Sequence, residues 1–567
     1  MKRTETLASR IHQRLSGDRA RDLTEAITEF HRAPGSSGYQ AATNLVTNRL
    51  REIGIDSVRS TTYPLDGETR FLHQTMPFAW EPYHAVVRTT APREEPLVDF
   101  REAPSCLMPW SRPTPTGGLI ADLVDVGTGA SEGDFAGKDL RGKVAFIRHG
   151  KHRALFAHAA TEAMERGVQG ILTDFLLFET APLRTRDSLP DGVQLLRLPN
   201  ATGRYEAWGC AVDRPTGQLL RELLERGPVT VHADIRCRMF RGEGQNLLAT
   251  ISGRGLPEES VLFIAHTSAA TKPGANCAAG PALMVEIARC LHDAIRSGEL
   301  PRPRRSIEFL FVIEGLGSAV FLERNRGRLH EIKTAFCLDS VGHHQEKCGS
   351  ALLFYRHPDS SPSFINDYFA GVMERVPKDA SWVFAEDRAL SAVLFEQAPY
   401  TPWSDNHYWA AFGVPSALVM SWPDRYFHTQ LLTAEMTDPK VFRAAGVCLA
   451  LAAYEIADAG PDEAAAIADD VTLRSVHRLE RIANRTLRDL LEASKRDLDA
   501  ERRALLDEAH RKLDYLAERD ARAVASTLGL SGKEASSALR ERIEGSRARI
   551  EARATEAKAR LMSAAED

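Results

Sequence analysis

From residue 244 onward, short apolar runs alternate with longer segments whose apolar positions recur every three or four residues. The runs are "NLLATISG", "SVLFIAH", "SIEFLFVI", "TAFCLDSVG" and "SALVMSW", and helices are predicted between and after them at 280–297, 317–325, 363–376 and 439–458. The runs lack strict alternation, so each strand buries both faces. That pattern predicts a largely parallel sheet covered by helices on both sides. In such sheets, ligands bind beyond the carboxyl ends of the strands.

The patterning differs on either side of this segment. Residues 20–53 give two helical patterns separated by a Gly/Ser-rich turn, the second ending on Gly54 as a C-cap. "FAWEPYHAVVRTTAP" alternates like a strand, and the Pro-rich stretch 104–118 then reads as a crossing into another unit. Within that unit "GKVAFIRHG" and "VQGILTDF" read as strands and "FAHAATEAMERG" as the helix between them. Beyond 461 proline almost vanishes, and "RLERIANRTLRDLLEASKRDL" spaces Leu and Ala by three and four with charges between. Such helices either pack on their own body or join two copies of the chain. The predicted organisation is therefore 1–105 and 241–460 as one α/β domain, 106–240 as a β-rich insert, and 461–567 as an α-helical C-terminal extension.

Composition narrows the partners. A formal net charge of -5 offers no basic field, so nucleic acid is not expected. No apolar run approaches the roughly 20 residues of a membrane helix. The first residues are charged without an apolar stretch, so no secretion signal is expected. Eight cysteines without CxxC pairing fit a reducing cytoplasm better than a disulfide framework.

Four polar residues follow the predicted strands or a turn after one: His266, Glu314, Asp339 and His428. Imidazole and carboxylate groups at neighbouring strand ends are what zinc needs, with one position open for water. Cys277, at a helix start nearby, reads in three ways: as a zinc-binding thiolate, as a small buried residue, or as a nucleophile near His266. "GHHQEKC" (His343, His344, Cys348) is either an auxiliary metal or substrate loop or a solvated one. Trp403, Tyr408, Trp409 and Trp422 flank these positions as pocket walls or core.

Two family resemblances attach to these motifs. "GDFAGKDLRGKVAFIRHG" followed by "AMERGVQGIL" resembles a protease-associated domain, which implies a non-catalytic lid or substrate-shaping insert. Residues 20–460 resemble the zinc aminopeptidase superfamily, with its glutaminyl cyclases, glutamate carboxypeptidase and non-enzymatic transferrin receptor, and are most like a bacterial aminopeptidase-like branch. The matching pieces are "AHTS" with "GANCAAGPALMVEIAR", "FLFVIEGLGS", "CLDSVG", "SDNHYWAAFGVPS" and "YFHT". This implies a zinc exopeptidase-like fold in which His266 and Asp339 match ligands of one metal and His428 a ligand of the other. Glu314 matches the general base, whose pKa burial would raise toward the working pH. Asp405 matches a supporting position near the final histidine, with His407, Trp403 and His343 as further supporting or pocket positions.

The chain also departs from the family. Cys277 replaces the bridging Asp, Gly315 a second Glu, Leu431 and Leu432 the acid after the final histidine, and the small residues 268–271 the usual support after His266. A full two-metal site is therefore not expected. The zinc would be a single ion, held by Cys277 and His428 with Asp339 or His266, or absent. The expected activity is metal-dependent, aminopeptidase-type hydrolysis of an amide in a small peptide or peptide-like metabolite. The alternatives are an inactive or repurposed protein serving in binding or assembly, and a Cys277-dependent transferase or hydrolase. The C-terminal helices leave two assemblies open, a homo-oligomer joined through them or a chain on whose own body they pack.

Overall fold

The computed structural model describes every residue except 1, 151–152, 270–271, 377–392, 495–498, 533–534 and 567. Its main sheet has eight strands in the spatial order Ser57–Leu65, Gly242–Ile251, Arg305–Val312, Leu256–His266, Ile332–Leu338, Ser416–Trp422, Ala351–Tyr355 and Phe395–Ala398. The four central strands, Arg305–Val312 to Ser416–Trp422, run parallel, as the unbroken apolar runs require. Successive side chains of one strand feed different cores. Val261, Phe263 and Ala265 pack with the helices Ala275–Arg296 and Pro439–Asp458, whereas Leu262 and Ile264 meet Ala319, Leu322 and Trp409 on the opposite face. The helix Ser37–Ile53 ends on Gly54, at φ 87°, a left-handed conformation that glycine adopts without a Cβ clash.

A second sheet holds seven strands, in the order Glu95–Asp99, Ala79–Ala91, Val229–Phe240, Leu119–Asp125, Val144–Ile147, Gly170–Thr173 and Trp208–Ala211. It takes in two strands that lie before position 106, so the second unit opens near residue 79 and not at 106. Alternation marks 79–91 as a strand but carries no information on which sheet it joins. Only the pairing with the distant strand Val229–Phe240 settles that.

The C-terminal extension forms three helices, Pro461–Ser494, Asp499–Ala525 and Ser537–Glu566. Leu479, Ala483, Leu490, Leu513, Ile543 and Leu561 are buried in the same core as the main sheet. Arg478 ties this extension to the body: its guanidinium donates to both oxygens of Asp367 at 2.9 Å and to Asp520 at 2.7 Å. All three side chains are largely buried. Removing one partner of a buried ionic group strands the others. Arg478→Ala is therefore expected to cost about 3–5 kcal/mol in urea unfolding. Burial pushes the Asp367 carboxyl up, but the Arg478 guanidinium outweighs it and holds the pKa below the ordinary value. A lowered folded pKa stabilises above the unfolded value and is lost in acid, so the Arg478→Ala deficit should shrink below about pH 4.

Candidate active site

Strand register brings the polar strand ends together. Ile264 lies opposite Cys337, so two residues on His266 and Asp339 stand side by side, with His266 Nε2 3.5 Å from Asp339 Oδ1. His266 also lies opposite Val312, which places Glu314 just beyond it on the other flank. One ligand atom each from His266, Glu314 and Asp339 lies within 4.8 Å of the others. His428, reached through the loop after Ser416–Trp422, lines the same cavity of about 230 Å³, together with Asn276, Leu177, Phe178, Trp403, Trp422 and Phe427.

Each group is held by a neighbour. The Ser268 carbonyl is 2.9 Å from His266 Nδ1, which fixes the ring with Nε2 toward Asp339. Ser340, at φ 50°, donates its hydroxyl to Asp339 Oδ1 at 2.9 Å. Burial pushes Asp339 up, but His266 and the Ser404 and Ser340 hydroxyls together more than offset it, and the carboxyl sits at about 2. Burial likewise disfavours a charged His266, yet Cys277, Asp339 and Glu314 together raise its pKa well above the ordinary value. The converging Asp339 and Glu314 carboxylates draw a cation to this point, in the form of a proton when nothing else supplies one. Histidine nitrogen and carboxylate oxygen are also the donor set that zinc takes, so these residues fit the ion.

The structure corrects one expectation for Glu314. Burial pushes its carboxyl up, as the sequence implies, but His266 and Arg197 outweigh burial and the net shift is downward. The Arg197 guanidinium donates to Glu314 Oε2 at 3.3 Å. Arg197 comes from the second unit, and no feature of its sequence neighbourhood points to the site. A further cavity of about 260 Å³ on the far side of Glu314 is lined by Arg197, Gln74, Trp110 and Tyr408. Glu314 is thus the wall that the two cavities share.

Cys277 acts on the cluster from its edge. It is buried, does not line the cavity, and lies outside the His266–Glu314–Asp339 group. Burial pushes its thiol up to about 11, against the pull of His266. Gly315, at φ 69°, caps the helix Leu316–Arg324 and donates its N–H to Asp405 Oδ1 at 2.9 Å. A Cβ there would meet the Tyr408 hydroxyl at 3.1 Å, so the position leaves no easy room for the second Glu. Burial pushes Asp405 up to about 6. Leu432 is fully buried, and its carbonyl accepts the Ala275 N–H. Of the small residues 268–271, Ser268 accepts the Glu314 N–H through its hydroxyl, and 270 and 271 lie outside the described residues. Trp403 and Trp422 wall the cavity, Tyr408 walls the second one, and Trp409 is core. His407 packs on the Tyr408 ring, with its Nδ1 2.6 Å from the Ser404 carbonyl.

The second unit closes the site through a residue that patterning does not reveal. Buried Arg184 donates to the carbonyls of Leu177, Arg425 and Phe427 and to Gln194 Oε1. Gln194 in turn donates to the His428 carbonyl at 2.9 Å. His428 sits at φ 53°, so this loop takes a backbone conformation that its neighbours must enforce.

No family model and no curated protein matches the chain. Solved structures do resemble it. The zinc aminopeptidase BSAP from Bacillus subtilis superposes with a TM-score of 0.55 at 18% identity, over 78% of this chain and 95% of its own. A peptidase M28 precursor from Shewanella amazonensis gives 0.58 at 19%, over 81% and 97%. An aminopeptidase from Aneurinibacillus sp. strain AM-1 gives 0.51 at 18%, over 79% and 95%. With strand ends that carry His266, Glu314 and Asp339 into one cavity, the chain is built on the fold of these peptidases.

Proposed function

We propose that the protein is a metal-dependent hydrolase that cleaves an amide next to a small apolar side chain, as in a short peptide or peptide-like metabolite. The observation that carries this reading is the convergence of His266, Glu314 and Asp339 on one point beside His428. His266, Asp339 and His428 would hold a single zinc. When bound, the ion supplies a Lewis acid for the scissile carbonyl and acidifies a water. Glu314 accepts the proton of the attacking water and passes it to the leaving amine. Phe178, Trp403, Trp422 and Phe427 offer the apolar wall for the substrate side chain, and the cavity volume suits one residue rather than a folded chain. Cys277 stays a buried thiol in this reading.

The test is hydrolysis of a panel of aminoacyl and peptidyl arylamides, before and after chelation. Loss on chelation and return with zinc is expected. No turnover in any metal state would transfer the protein to a binding role, which the Arg197–Glu314 pair favours because it occupies the base. The same pair yields a signed prediction. Arg197 lowers the Glu314 pKa, so Arg197→Gln should move the acidic limb of the kcat/KM profile to higher pH. An unmoved limb would detach Arg197 from the base.

A further inference from the structure

Beyond the cavity, a second group of donors stays unused by this chemistry. His343, Cys348 and Asp424 each offer one ligand atom, and the three atoms lie within 4.8 Å of one another. All three are buried, with exposures of 0%, 0% and 1%. Among the described residues, both ring nitrogens of His343 lack a hydrogen-bond partner, and so does Asp424 Oδ2, which lies 3.6 Å from His343 Nδ1. Asp424 Oδ1 is satisfied by the Tyr426 N–H at 2.9 Å. Cys348 Sγ lies 3.5 Å from the Met436 carbonyl. Buried polar atoms in folded proteins nearly always find partners, so an orphaned His343 nitrogen and the orphaned Asp424 Oδ2, both within reach of Cys348 Sγ, call for an occupant.

We propose that a second zinc ion, distinct from the catalytic one, is bound by His343 imidazole, Cys348 thiolate and Asp424 carboxylate. One nitrogen, one sulfur and one oxygen donor form a borderline-soft set that suits zinc rather than calcium or magnesium. Binding exchanges the Cys348 thiol proton for the metal and releases it to solvent. Two negative ligands and a neutral imidazole balance the ion. The charged groups facing the cluster are Arg184 beside Asp424, Lys347 beside Cys348, and Asp339 toward His343.

The placement gives the site a purpose. His343 follows Asp339 by four residues, and Asp424 precedes His428 by four. An ion between them would therefore cross-link the two loops that carry two of the three catalytic ligands. Metal bonds would fix their separation in addition to the backbone hydrogen bonds that the Ser421 N–H donates to the Ser340 carbonyl and the Arg425 N–H to the Cys348 carbonyl.

X-ray absorption on the zinc-loaded wild-type protein reads the metal shell directly. A sulfur scatterer at about 2.3 Å is expected, and it should persist in Cys277→Ser and in Asp339→Asn but vanish in Cys348→Ser. No sulfur in the wild-type shell, or no zinc at all, would overturn the proposal. Sulfur lost in Cys277→Ser would overturn it too, by moving the thiolate to the catalytic cavity. If Cys348→Ser does not fold, the wild type and Cys277→Ser still decide. Persistence of the sulfur in Asp339→Asn also separates this site from the catalytic reading, which can fail while this one stands.

Discussion

Glu314→Gln is expected to lower turnover by about 10²–10⁴-fold while the protein stays folded, the range for a lost general base. Glutamine keeps the size of the side chain and its reach toward Arg197, but it cannot accept a proton. The ion pair with Arg197 links two partly exposed side chains, so its loss removes little stability. The substitution therefore separates chemistry from folding. Turnover within a few-fold of wild type would remove Glu314 from proton transfer. A parallel loss of bound zinc would instead make its carboxylate a ligand, which its distance to His266 and Asp339 also allows.

Arg184→Met is the second change with a large expected effect. Arg184 is 1% exposed and satisfies the carbonyls of Leu177, Arg425 and Phe427 at 2.9, 2.6 and 3.0 Å. Methionine fills much of the space but donates nothing. Each buried carbonyl left unpaired costs about 1–3 kcal/mol, so a loss on the order of 3–5 kcal/mol is expected, partly relieved if the loop opens to water. The opening would carry function with it. Gln194, which binds the Arg184 guanidinium, also holds the His428 carbonyl, and Phe178 follows directly on Leu177 at the cavity wall. A shift of about 1 Å in such a site can cost about a hundredfold in rate. Limited proteolysis near 177–198 together with kcat/KM would measure both effects. Unchanged kinetics with accelerated cleavage would show that the second unit only covers the site and does not position it.

These two residues also mark what the sequence could and could not disclose. The central strands were legible because burial on both faces leaves an unbroken apolar run, and His266, Glu314 and Asp339 were legible because each follows such a run. Arg184, Gln194 and Arg197 were not. They lie in irregular chain between Gly170–Thr173 and Trp208–Ala211, and only the docking of the second sheet brings Arg197 to Glu314 and Arg184 and Gln194 to the loop that carries His428. The strand Ala79–Ala91 was read as a strand, but its partner lies some 150 positions away, and local pattern holds nothing about such pairing.

Histidine and cysteine readings turned on burial. Cys277 draws attention by its place in a motif, and in the structure its buried thiol acts electrostatically on His266 but lies outside the His266–Glu314–Asp339 group. From sequence the loop with His343 and His344 reads either as an auxiliary metal or substrate loop or as a solvated one. In the structure His344 caps a short helix at Lys347, while His343 is fully buried against Asp424, a residue that no local pattern connects to it.

Zinc content by native mass spectrometry, on protein purified without chelator, most directly tests whether the strand-end cluster is a one-cation centre. Relative to wild type, Asp339→Asn should lose one ion and Cys277→Ser should lose none. An undiminished zinc count in Asp339→Asn, or an ion lost in Cys277→Ser, would contradict the centre described above.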